Sequence, residues 1–280
     1  MDVLVVGGSG LLGRRVVRQA RIAGHRVVAT FYGHAPTATG ADWHRLDIRR
    51  RDDVIALAQE TRPAVIVNAA YRQSDWATTA DGATHVALAA AATGARLVHV
   101  SSDAVFSGAA AGYDETQPPD PTTPYGAAKA AAETAIKRIA PAAVIARTSL
   151  IIGAGDSAHE RLVHALIEGA AGVLYTDDVR CPVDASDLAT ALLELAASQY
   201  AGIRHVAGPD ALSRYELGVL IARRDGLDPA AIPAGPRPAG PLDLRLDSSV
   251  RLRGARDFLA VTASPSTAAA ASQTPPNMTR

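Results

Sequence analysis

Tyr125 and Lys129 are the two residues of this chain whose types and spacing most clearly suggest chemistry. They stand four positions apart, directly after Thr123-Pro124, a pair of residues typical of a helix start. Residues four apart on a helix lie on the same face, so the lysine ammonium group is expected beside the tyrosine phenol. An adjacent cation lowers the phenol pKa from about 10 toward neutral pH, where the phenol can act as a proton donor.

The scarcity of lysine makes this pair more informative. Only two of the 28 basic residues, Lys129 and Lys137, are lysine, and the chain has seven tyrosines among 280 residues. Chance would give such a Tyr-to-Lys spacing only about 0.05 times in a sequence of this composition. A compact ammonium group differs in donor geometry from a planar guanidinium group, which favours a specific role for Lys129. Lys137 lies four residues after Glu133, and we interpret it as half of a solvated ion pair on the helix surface.

Ser102 is the third candidate catalytic residue. It lies in the run His99-Val100-Ser101-Ser102-Asp103, at the end of a predicted strand. A hydroxyl group there could donate a hydrogen bond to a substrate carbonyl while Tyr125 delivers the proton. Serines after strands are also common turn residues, but Tyr125 and Lys129 downstream favour the catalytic interpretation. We interpret His99 as a packed or hydrogen-bonded histidine.

A glycine-rich loop follows the first predicted strand, in the order Gly7-Gly8-Ser9-Gly10-Leu11-Leu12-Gly13, and leads into a predicted helix. Glycine allows a tight turn, a close approach of the backbone to a pyrophosphate, and close packing of helix on strand. The helix N-terminus adds N–H donors and the positive end of a dipole. Tight turns elsewhere also use glycine, but the position after the first strand of a parallel sheet favours nucleotide binding.

The second predicted strand indicates which nucleotide is preferred. Sites for NAD usually place an acidic residue about 20 residues after the glycine loop, where it binds the ribose. No acidic residue occurs between positions 2 and 42, so we expect NADP to be preferred, with NAD possible. Arg14 or His34 could neutralise the extra phosphate, although Arg14, with Arg15 and Arg18, also fits a solvated helix face. Asp47, after the third strand, could accept a hydrogen bond from the adenine amino group or belong to a helix N-cap region.

Alternating strands and helices are expected to position these residues. We predict strands over residues 3–6, 26–31, 64–67, 96–100, 142–146 and 203–206, and helices over residues 11–23, 52–60, 78–92, 124–139 and 186–197. This alternation predicts an α/β fold with a doubly wound parallel sheet, a Rossmann-like NAD(P)-binding fold with a small C-terminal substrate-binding cap. Ligands in such sheets bind beyond the carboxyl ends of the strands.

The domain boundaries follow from changes in pattern along the chain. We predict an NAD(P)-binding domain over residues 1–150, with residues 183–206 completing its sheet. Residues 151–182 and 207–258, where Gly, Pro and Asp interrupt short elements, are predicted to form the substrate-binding cap. Residues 261–280 contain fifteen Ala, Ser, Thr or Pro and one charge, and we expect them to be a disordered tail.

Composition excludes several classes of protein. Basic and acidic residues balance at 28 each, which removes the electrostatic attraction that dominates nucleic-acid binding. The longest apolar runs fall far short of the roughly 20 residues that span a bilayer. A lone Cys181, the absence of an export signal at the N-terminus and the absence of metal-ligand spacing among the histidines predict a cytoplasmic protein without a metal site.

The chain resembles the extended short-chain dehydrogenase/reductase family over most of residues 1–258. The resemblance rests on Gly7-x-x-Gly10-x-x-Gly13, Asn68-Ala69-Ala70, Ser101-Ser102-Asp103 and Tyr125-x-x-x-Lys129. Within the family it is most similar to the dTDP-4-dehydrorhamnose reductase branch, through the motifs at residues 101–108, 147–149, 180–183 and 246–249.

The resemblance implies reduction of a keto group by NADPH, with a nucleotide-linked 4-keto sugar as the leading substrate class and a homodimer as a possible assembly. It implies that Tyr125 is the acid, that Lys129 tunes Tyr125 and binds ribose, and that Ser102 orients the carbonyl. The residues implied at the cofactor are Gly7, Ser9, Gly10, Leu11, Leu12, Gly13, Phe31, Tyr32, His34, Asp47, Ile48, Asn68, Ala69, Ala70, Tyr125 and Lys129. Those implied at the substrate are Tyr71, Ser102, Asp103, Ala104, Leu150 and Arg180.

Three residues depart from the pattern of the family. His85 stands where the family often has a helix asparagine, and Ala104 and Leu150 stand where deoxysugar reductases usually carry aromatic residues. These departures motivate a second hypothesis, a non-catalytic NADP-binding regulatory subunit like the partner of methionine adenosyltransferase. A sugar-nucleotide epimerase is a third. The related 4,6-dehydratases carry an Asp-Glu pair where this chain has Asp103-Ala104, which argues for simple reduction.

The lysine interpretation predicts the effect of a single substitution. Lys129→Arg should lower turnover strongly, because guanidinium cannot reproduce the geometry of an ammonium group beside the phenol. Lys137→Arg, the matched control at the other lysine, should leave turnover unchanged. The measurement is the turnover of each purified variant relative to the wild-type protein. If Lys129→Arg turned over as fast as wild type, the retention of lysine at this position would be a coincidence.

Overall fold

The structure is a computed structural model that describes residues 1–37, 39–110, 112–240 and 242–260. Seven parallel strands form its central sheet. The expected disordered tail at 261–280 lies outside the described residues. The sheet strands are β1 (Asp2–Val6), β2 (Arg26–Phe31), β3 (Asp42–Arg45), β4 (Val65–Asn68), β5 (Arg96–Ser102), β6 (Val144–Thr148) and, from the second half of the chain, β11 (Gly202–His205). Their order across the sheet is β11-β6-β5-β4-β1-β2-β3, and the predicted α/β parallel-sheet fold is confirmed.

Helices cover both faces of this sheet. They are α1 (Leu11–Ile22), α2 (Arg51–Thr61), α3 (Gly82–Thr93), α4 (Pro124–Ile139) and α6 (Ala185–Ala197). Val3 and Val5 of β1 pack with α1 and α6 on one face, whereas Leu4 and Val6 pack with α2, α3 and α4 on the other. Successive strand residues point to opposite faces, so a strand buried on both faces must be apolar throughout.

The predicted boundaries agree with the structure within one or two residues for most elements, and two differences are informative. Strand β5 continues through Ser101 and Ser102, because Ser102 pairs with Thr148 of β6. The helix predicted over residues 78–92 is instead a π-helical turn (Ala77–Asp81) followed by α3. At the junction the backbone of Gly82 packs closely on Ile48, where a Cβ atom would lie 2.6 Å from the Ile48 side chain.

A smaller region with its own apolar core lies against the sheet. Its helices are α5 (Ala158–Ile167), α7 (Arg214–Arg224) and α8 (Ala255–Phe258), and its short strands are β7 (Ile151–Ile152), β8 (Leu174–Tyr175), β9 (Val179–Arg180), β10 (Val183–Asp184), β12 (Leu212–Ser213) and β13 (Ala234–Gly235). The strands pair as β7 with β10, β9 with β12 and β8 with β13. Leu166, Leu217 and Ile221 are buried between α5 and α7.

One buried ion pair ties α4 to the sheet. Glu133 and Arg147 are both 0% exposed, and their side chains meet at 2.8 Å (Arg147 Nη2 to Glu133 Oε2) and 3.0 Å (Nε to Oε1). Ser101 of β5 donates to the same carboxylate at 2.6 Å. The interpretation of Glu133 as the solvated partner of Lys137 is therefore wrong. Lys137 is exposed, whereas Glu133 turns inward because Arg147, far away in sequence, supplies its counter-charge.

This ion pair predicts a stability difference. Glu133→Ala leaves the Arg147 guanidinium buried without its carboxylate, which should lower the free energy of unfolding by about 3–5 kcal/mol. Arg26→Ala removes the exposed pair between Arg26 and Asp2 and should leave the urea midpoint unchanged. The measurement is equilibrium urea unfolding of both variants. Equal midpoints for the two variants would contradict a structural role for the buried pair.

Candidate active site

A cleft of about 1050 Å³ runs along the carboxyl edge of the central sheet. It is lined by residues that follow β1, β4 and β6 and by the end of β5. The strand order reverses at β1, which lies between β2 and β4. Ligands of doubly wound sheets bind at such a reversal. The topology thus brings the glycine loop and the predicted catalytic residues to one edge.

The glycine loop has the geometry of a cradle for phosphate. Gly7 adopts a φ of +79°, and a Cβ atom there would lie 2.8 Å from the backbone of Ala70. At Gly13 a Cβ atom would lie 2.1 Å from the Gly7 carbonyl oxygen, so α1 can approach the loop only with glycine at this position. Gly10 is the N-cap of α1 and provides no side-chain cap, so the first N–H groups of the helix suit an anion.

The cleft is also lined by Tyr32, Asp47 and Arg49, which follow strands β2 and β3. Arg49 donates from Nη2 to the Tyr32 hydroxyl at 2.9 Å and binds both carboxylate oxygens of Asp47. This pairing lowers the pKa of Asp47 and keeps it ionised. Arg49 therefore lies just beyond the end of β2, where an adenosine ribose binds in folds of this kind.

Arg49 is a cation of the cleft that the sequence interpretation did not consider. Arg14 instead pairs with Asp156 (Nη2 to Oδ2, 3.0 Å) and donates to the Ser9 carbonyl. His34 is exposed and does not line the cleft. Proximity to the sequence of β2 suggested those two residues, whereas Arg49 reaches the same edge from the segment after β3. Its place two residues after Asp47 is the signal that could have indicated it.

Asn68 also differs from its predicted place, because it is buried behind the loop rather than in the cleft. Its Oδ1 accepts from the Ala70 N–H at 3.1 Å, and its Nδ2 lies 3.2 Å from the His99 ring. Asn68 therefore shapes the backbone that faces Gly7. His99 is 0% exposed, and burial, with Lys129 nearby, lowers its pKa well below the usual value. The interpretation of His99 as a packed, hydrogen-bonded histidine is confirmed.

The start of α4 brings Tyr125 to the end of β5. Thr123 caps the helix by accepting from the Gly126 N–H at 3.1 Å, and Pro124 occupies its first turn. A Cβ atom on Gly126 would lie 2.0 Å from the Ala104 carbonyl oxygen, so the helix start packs directly on the turn after Ser102. Ser102 Oγ donates to Asp103 at 3.1 Å and accepts from the Ala104 N–H.

Lys129 lies one helical turn further along α4 and is 2% exposed. Its Nζ donates to the Val100 carbonyl at 2.8 Å and lies 5.2 Å from the centroid of the Tyr71 ring. The Tyr71 and Tyr125 rings are 5.9 Å apart. Ser102, Tyr125 and Lys129 therefore converge on one part of the cleft, with Tyr71 partly covering the last two.

Burial sets the protonation of this group. Burial lowers the pKa of Lys129 to about 8, and the Glu133 carboxylate opposes the shift. Burial also raises the pKa of Tyr125 above its usual value; Tyr71 and Asp103 act in the same direction, and Ser102 acts against it. Desolvation therefore acts on the phenol pKa in the direction opposite to the one expected from Lys129, and the net shift is upward. The phenol is protonated at neutral pH, the form that can donate a proton.

The remaining predicted residues are divided between the cleft and the protein interior. Tyr71, Ser102, Asp103, Ala104, Leu150 and Arg180 all line the cleft. The cofactor-side residues that line it are Gly7, Ser9, Gly10, Leu11, Leu12, Gly13, Phe31, Tyr32, Asp47, Ile48, Ala69, Ala70, Tyr125 and Lys129. His85 lies outside it, with its Nδ1 2.9 Å from the Ile48 carbonyl oxygen.

No group of three or more His, Cys, Asp or Glu side chains in the described ranges could hold a metal ion. No helix among these residues is long and apolar enough to cross a membrane.

The parallel sheet, the glycine-lined helix start and the converging Ser102, Tyr125 and Lys129 define the class of the extended short-chain dehydrogenases/reductases. The sequence matches the family model described as "RmlD substrate binding domain" over residues 1–253, and the chain belongs to this family.

Named relatives cover most of this chain. "Probable low-salt glycan biosynthesis reductase Agl14" of Haloferax volcanii is 32% identical over 83% of this chain and 83% of its own length. A dTDP-4-dehydrorhamnose reductase of Streptomyces griseus is 33% identical over 82% of this chain and 78% of its own. The solved dTDP-4-dehydrorhamnose reductase of Bacillus anthracis, in complex with NADP, shares the fold with a TM-score of 0.79 at 22% identity. The structural match covers 92% of this chain and 96% of the Bacillus anthracis chain.

The burial of Lys129 predicts its titration. The ammonium group should lose its proton around pH 8, so that Lys129 is cationic below this pH and neutral above it. With only two lysines in the chain, ¹³C-labelled lysine gives two side-chain NMR signals, and Lys137→Arg assigns them by removing one. A Lys129 midpoint near the unperturbed value of about 10.4 would contradict the desolvation described above.

Proposed function

We propose that this protein is an NAD(P)H-dependent oxidoreductase that reduces the keto group of a small polar metabolite, with a nucleotide-linked 4-keto sugar as the leading substrate class. The observation that carries the proposal is the convergence of Ser102, Tyr125 and Lys129 beside the glycine loop. A relative that is 33% identical is named for the reduction of such a sugar nucleotide, and this supports the substrate class.

We propose NADP as the preferred cofactor, with NAD as a possible one. The fit of a dinucleotide is supported by the cradle at Gly7, Gly10 and Gly13, which has no room for a Cβ atom at two of these positions. Strand β2 itself contributes no acidic residue at its end, and Arg49, which is paired with Asp47, lies beside Tyr32 at this point. The Bacillus anthracis structure with the same fold is a complex with NADP.

The proposed chemistry assigns a role to each of the three side chains. When bound, NADPH supplies the hydride to the carbonyl carbon. Tyr125 donates its phenolic proton to the carbonyl oxygen, and the Lys129 ammonium stabilises the resulting phenolate. Ser102 turns its hydroxyl from Asp103 toward the carbonyl oxygen and polarises it by a hydrogen bond. Because Tyr125 and Lys129 are buried, the charge that forms on the phenolate is little screened by water.

We propose that the regions around the two apolar cores have different functions, one binding the cofactor and the other binding the substrate. Residues 1–150, with 183–206, would hold the cofactor, and residues 151–182 and 207–258 would hold the substrate. The pairing of β11 with β6 and the separate core around α5 and α7 support this division. A reducing cytoplasm is the proposed location, because the single cysteine, Cys181, is buried and free.

Turnover of a panel of nucleotide-linked 4-keto sugars tests the proposal. Purified protein is incubated with each sugar and NADPH or NADH, and the loss of reduced-nicotinamide absorbance is followed. We expect turnover with NADPH, and a fall of roughly 10²–10⁴-fold in Tyr125→Phe because the proton donor is lost. Tyr200→Phe, a matched change at a tyrosine whose hydroxyl donates to the Ile203 carbonyl, should turn over normally.

Three outcomes would contradict this proposal. Undiminished turnover in Tyr125→Phe would exclude the mechanism. Tight NADPH binding without turnover of any carbonyl, together with a co-purifying second polypeptide, would favour the regulatory subunit. An inverted product without net consumption of NADPH would favour the epimerase. The intact Ser102, Tyr125 and Lys129 group opposes the regulatory subunit, because a non-catalytic protein has no use for all three together.

A further inference from the structure

The Tyr71 ring covers the candidate catalytic lysine. The Lys129 ammonium group lies over this ring, with Nζ 5.2 Å from the ring centroid. The centroid of the Tyr125 ring is 5.9 Å from that of Tyr71, at an interplanar angle of 47°. Tyr71 is 55% exposed and lines the cleft, whereas Lys129 is 2% exposed. Tyr71 therefore lies between the buried lysine and the solvent.

Buried polar side chains hold the backbone on both sides of Tyr71. Before it, the Ala70 N–H donates to Asn68 Oδ1 at 3.1 Å. After it, the Arg72 N–H donates to Thr79 Oγ1 at 3.2 Å, and the Thr79 hydroxyl donates back to the Arg72 carbonyl at 2.8 Å. Asn68 and Thr79 are each 1% exposed, and Thr79 belongs to the π-helical turn before α3. The ring of Tyr71 thus projects from a backbone that is fixed at two points, which lowers the entropy cost of keeping it over the lysine.

The groups around Lys129 compensate its charge only in part. Nζ donates to the Val100 carbonyl at 2.8 Å. Glu133, one turn further along α4, favours the charged form of the lysine, but its carboxylate is already paired with Arg147 at 2.8 Å. Burial, and next the charge of Lys129, lower the pKa of His99 on β5, so His99 is neutral at pH 7. Burial outweighs these groups and lowers the pKa of Lys129 to about 8.

An aromatic ring can offset part of this desolvation. The face of an aromatic ring carries partial negative charge, and a cation within about 6 Å of the centroid is attracted to it, most strongly where water is excluded. The distance from Lys129 to the Tyr71 ring falls within this limit. Tyr125 is protonated at neutral pH and brings no negative charge before the reaction. The Tyr71 face is therefore a source of negative potential on the cleft side of the ammonium group.

We propose that Tyr71 is a positioning residue that keeps Lys129 in its charged form, because its ring both excludes water from the ammonium group and stabilises it through its face. This inference rests on the proposed function, in which charged Lys129 stabilises the phenolate of Tyr125. The resemblance implied that Tyr71 contacts the substrate. The geometry adds a role that Tyr71 exerts through the lysine.

Three substitutions at Tyr71 separate the two effects of the ring. Tyr71→Phe keeps the aromatic face, so Lys129 should titrate as in the wild type. Tyr71→Leu keeps an apolar cover without an aromatic face, so the Lys129 midpoint should fall by about one pH unit. Tyr71→Ala admits water to the lysine, so the midpoint should rise. The measurement is an NMR titration of ¹³C-labelled lysine in the full-length protein without substrate.

Tyr200→Leu is the matched control. The Arg204 guanidinium lies 4.0 Å from the centroid of the Tyr200 ring, so this variant also removes a ring that faces a cation. Neither Tyr200 nor Arg204 lines the cleft, and the Lys129 midpoint should stay as in the wild type. An unchanged Lys137 signal and an unchanged far-UV circular dichroism spectrum show that each variant is folded.

The pH dependence of turnover links Tyr71 to the reaction. Lys129 must be charged to stabilise the phenolate, so activity should be lost as the pH rises through the Lys129 pKa. In Tyr71→Leu this loss should occur about one pH unit lower than in the wild type, and in Tyr71→Phe it should occur at the same pH as in the wild type.

The outcomes separate this inference from the proposed function. A Lys129 midpoint in Tyr71→Leu at or above that in Tyr71→Phe would overturn the action of the ring face. A lower midpoint in Tyr71→Leu without an earlier loss of turnover at alkaline pH would overturn its part in the reaction. If no keto sugar is turned over, the proposed function fails, whereas a lower midpoint in Tyr71→Leu than in Tyr71→Phe still supports the action of Tyr71 on Lys129.

Discussion

The geometry of the candidate site depends on the hydrogen bonds and the ion pair of the buried Glu133 carboxylate. Glu133 belongs to α4, and its carboxylate binds Ser101 of β5 and Arg147 of β6, so it holds the helix against both strands. Those elements carry Tyr125 and Lys129 on one side and Ser102 on the other. A shift of α4 along the sheet would break charge-assisted hydrogen bonds that cannot be replaced by water in the core. The catalytic spacing is therefore held by an ion pair that never touches the cleft.

The parts of the fold that follow from short-range pattern could be predicted from the sequence. The alternation of apolar runs and helical periods gave strands and helices near their observed positions, and Thr123-Pro124 marked the start of α4. The partners of charged groups could not be predicted in this way. The sequence spacing pairs Glu133 with Lys137, four residues away, because a surface pair on a helix is local. Its actual partner, Arg147, lies on a different strand, and only the assembled sheet brings them together.

Protonation was the second feature that depended on the assembled structure. A neighbouring cation and burial act in opposite directions on a phenol, and spacing in the sequence reveals the first but not the second. The same limit applies to Arg49, which reaches the end of β2 from the segment after β3. It applies also to Tyr71, which covers Lys129 from the segment after β4. In each case the residue type was visible in the sequence, and the environment that decides its behaviour was not.

The presence of only two lysines has a practical consequence for chemical labelling of this protein. Of the two lysines, Lys137 is exposed on α4 and Lys129 is 2% exposed. An amine-reactive dye, cross-linker or resin therefore meets one accessible lysine side chain, and it lies two helical turns away from the candidate catalytic lysine. Such reagents modify Lys137 and the exposed Met1 amino group, while the buried Lys129 is protected and the arginines do not react.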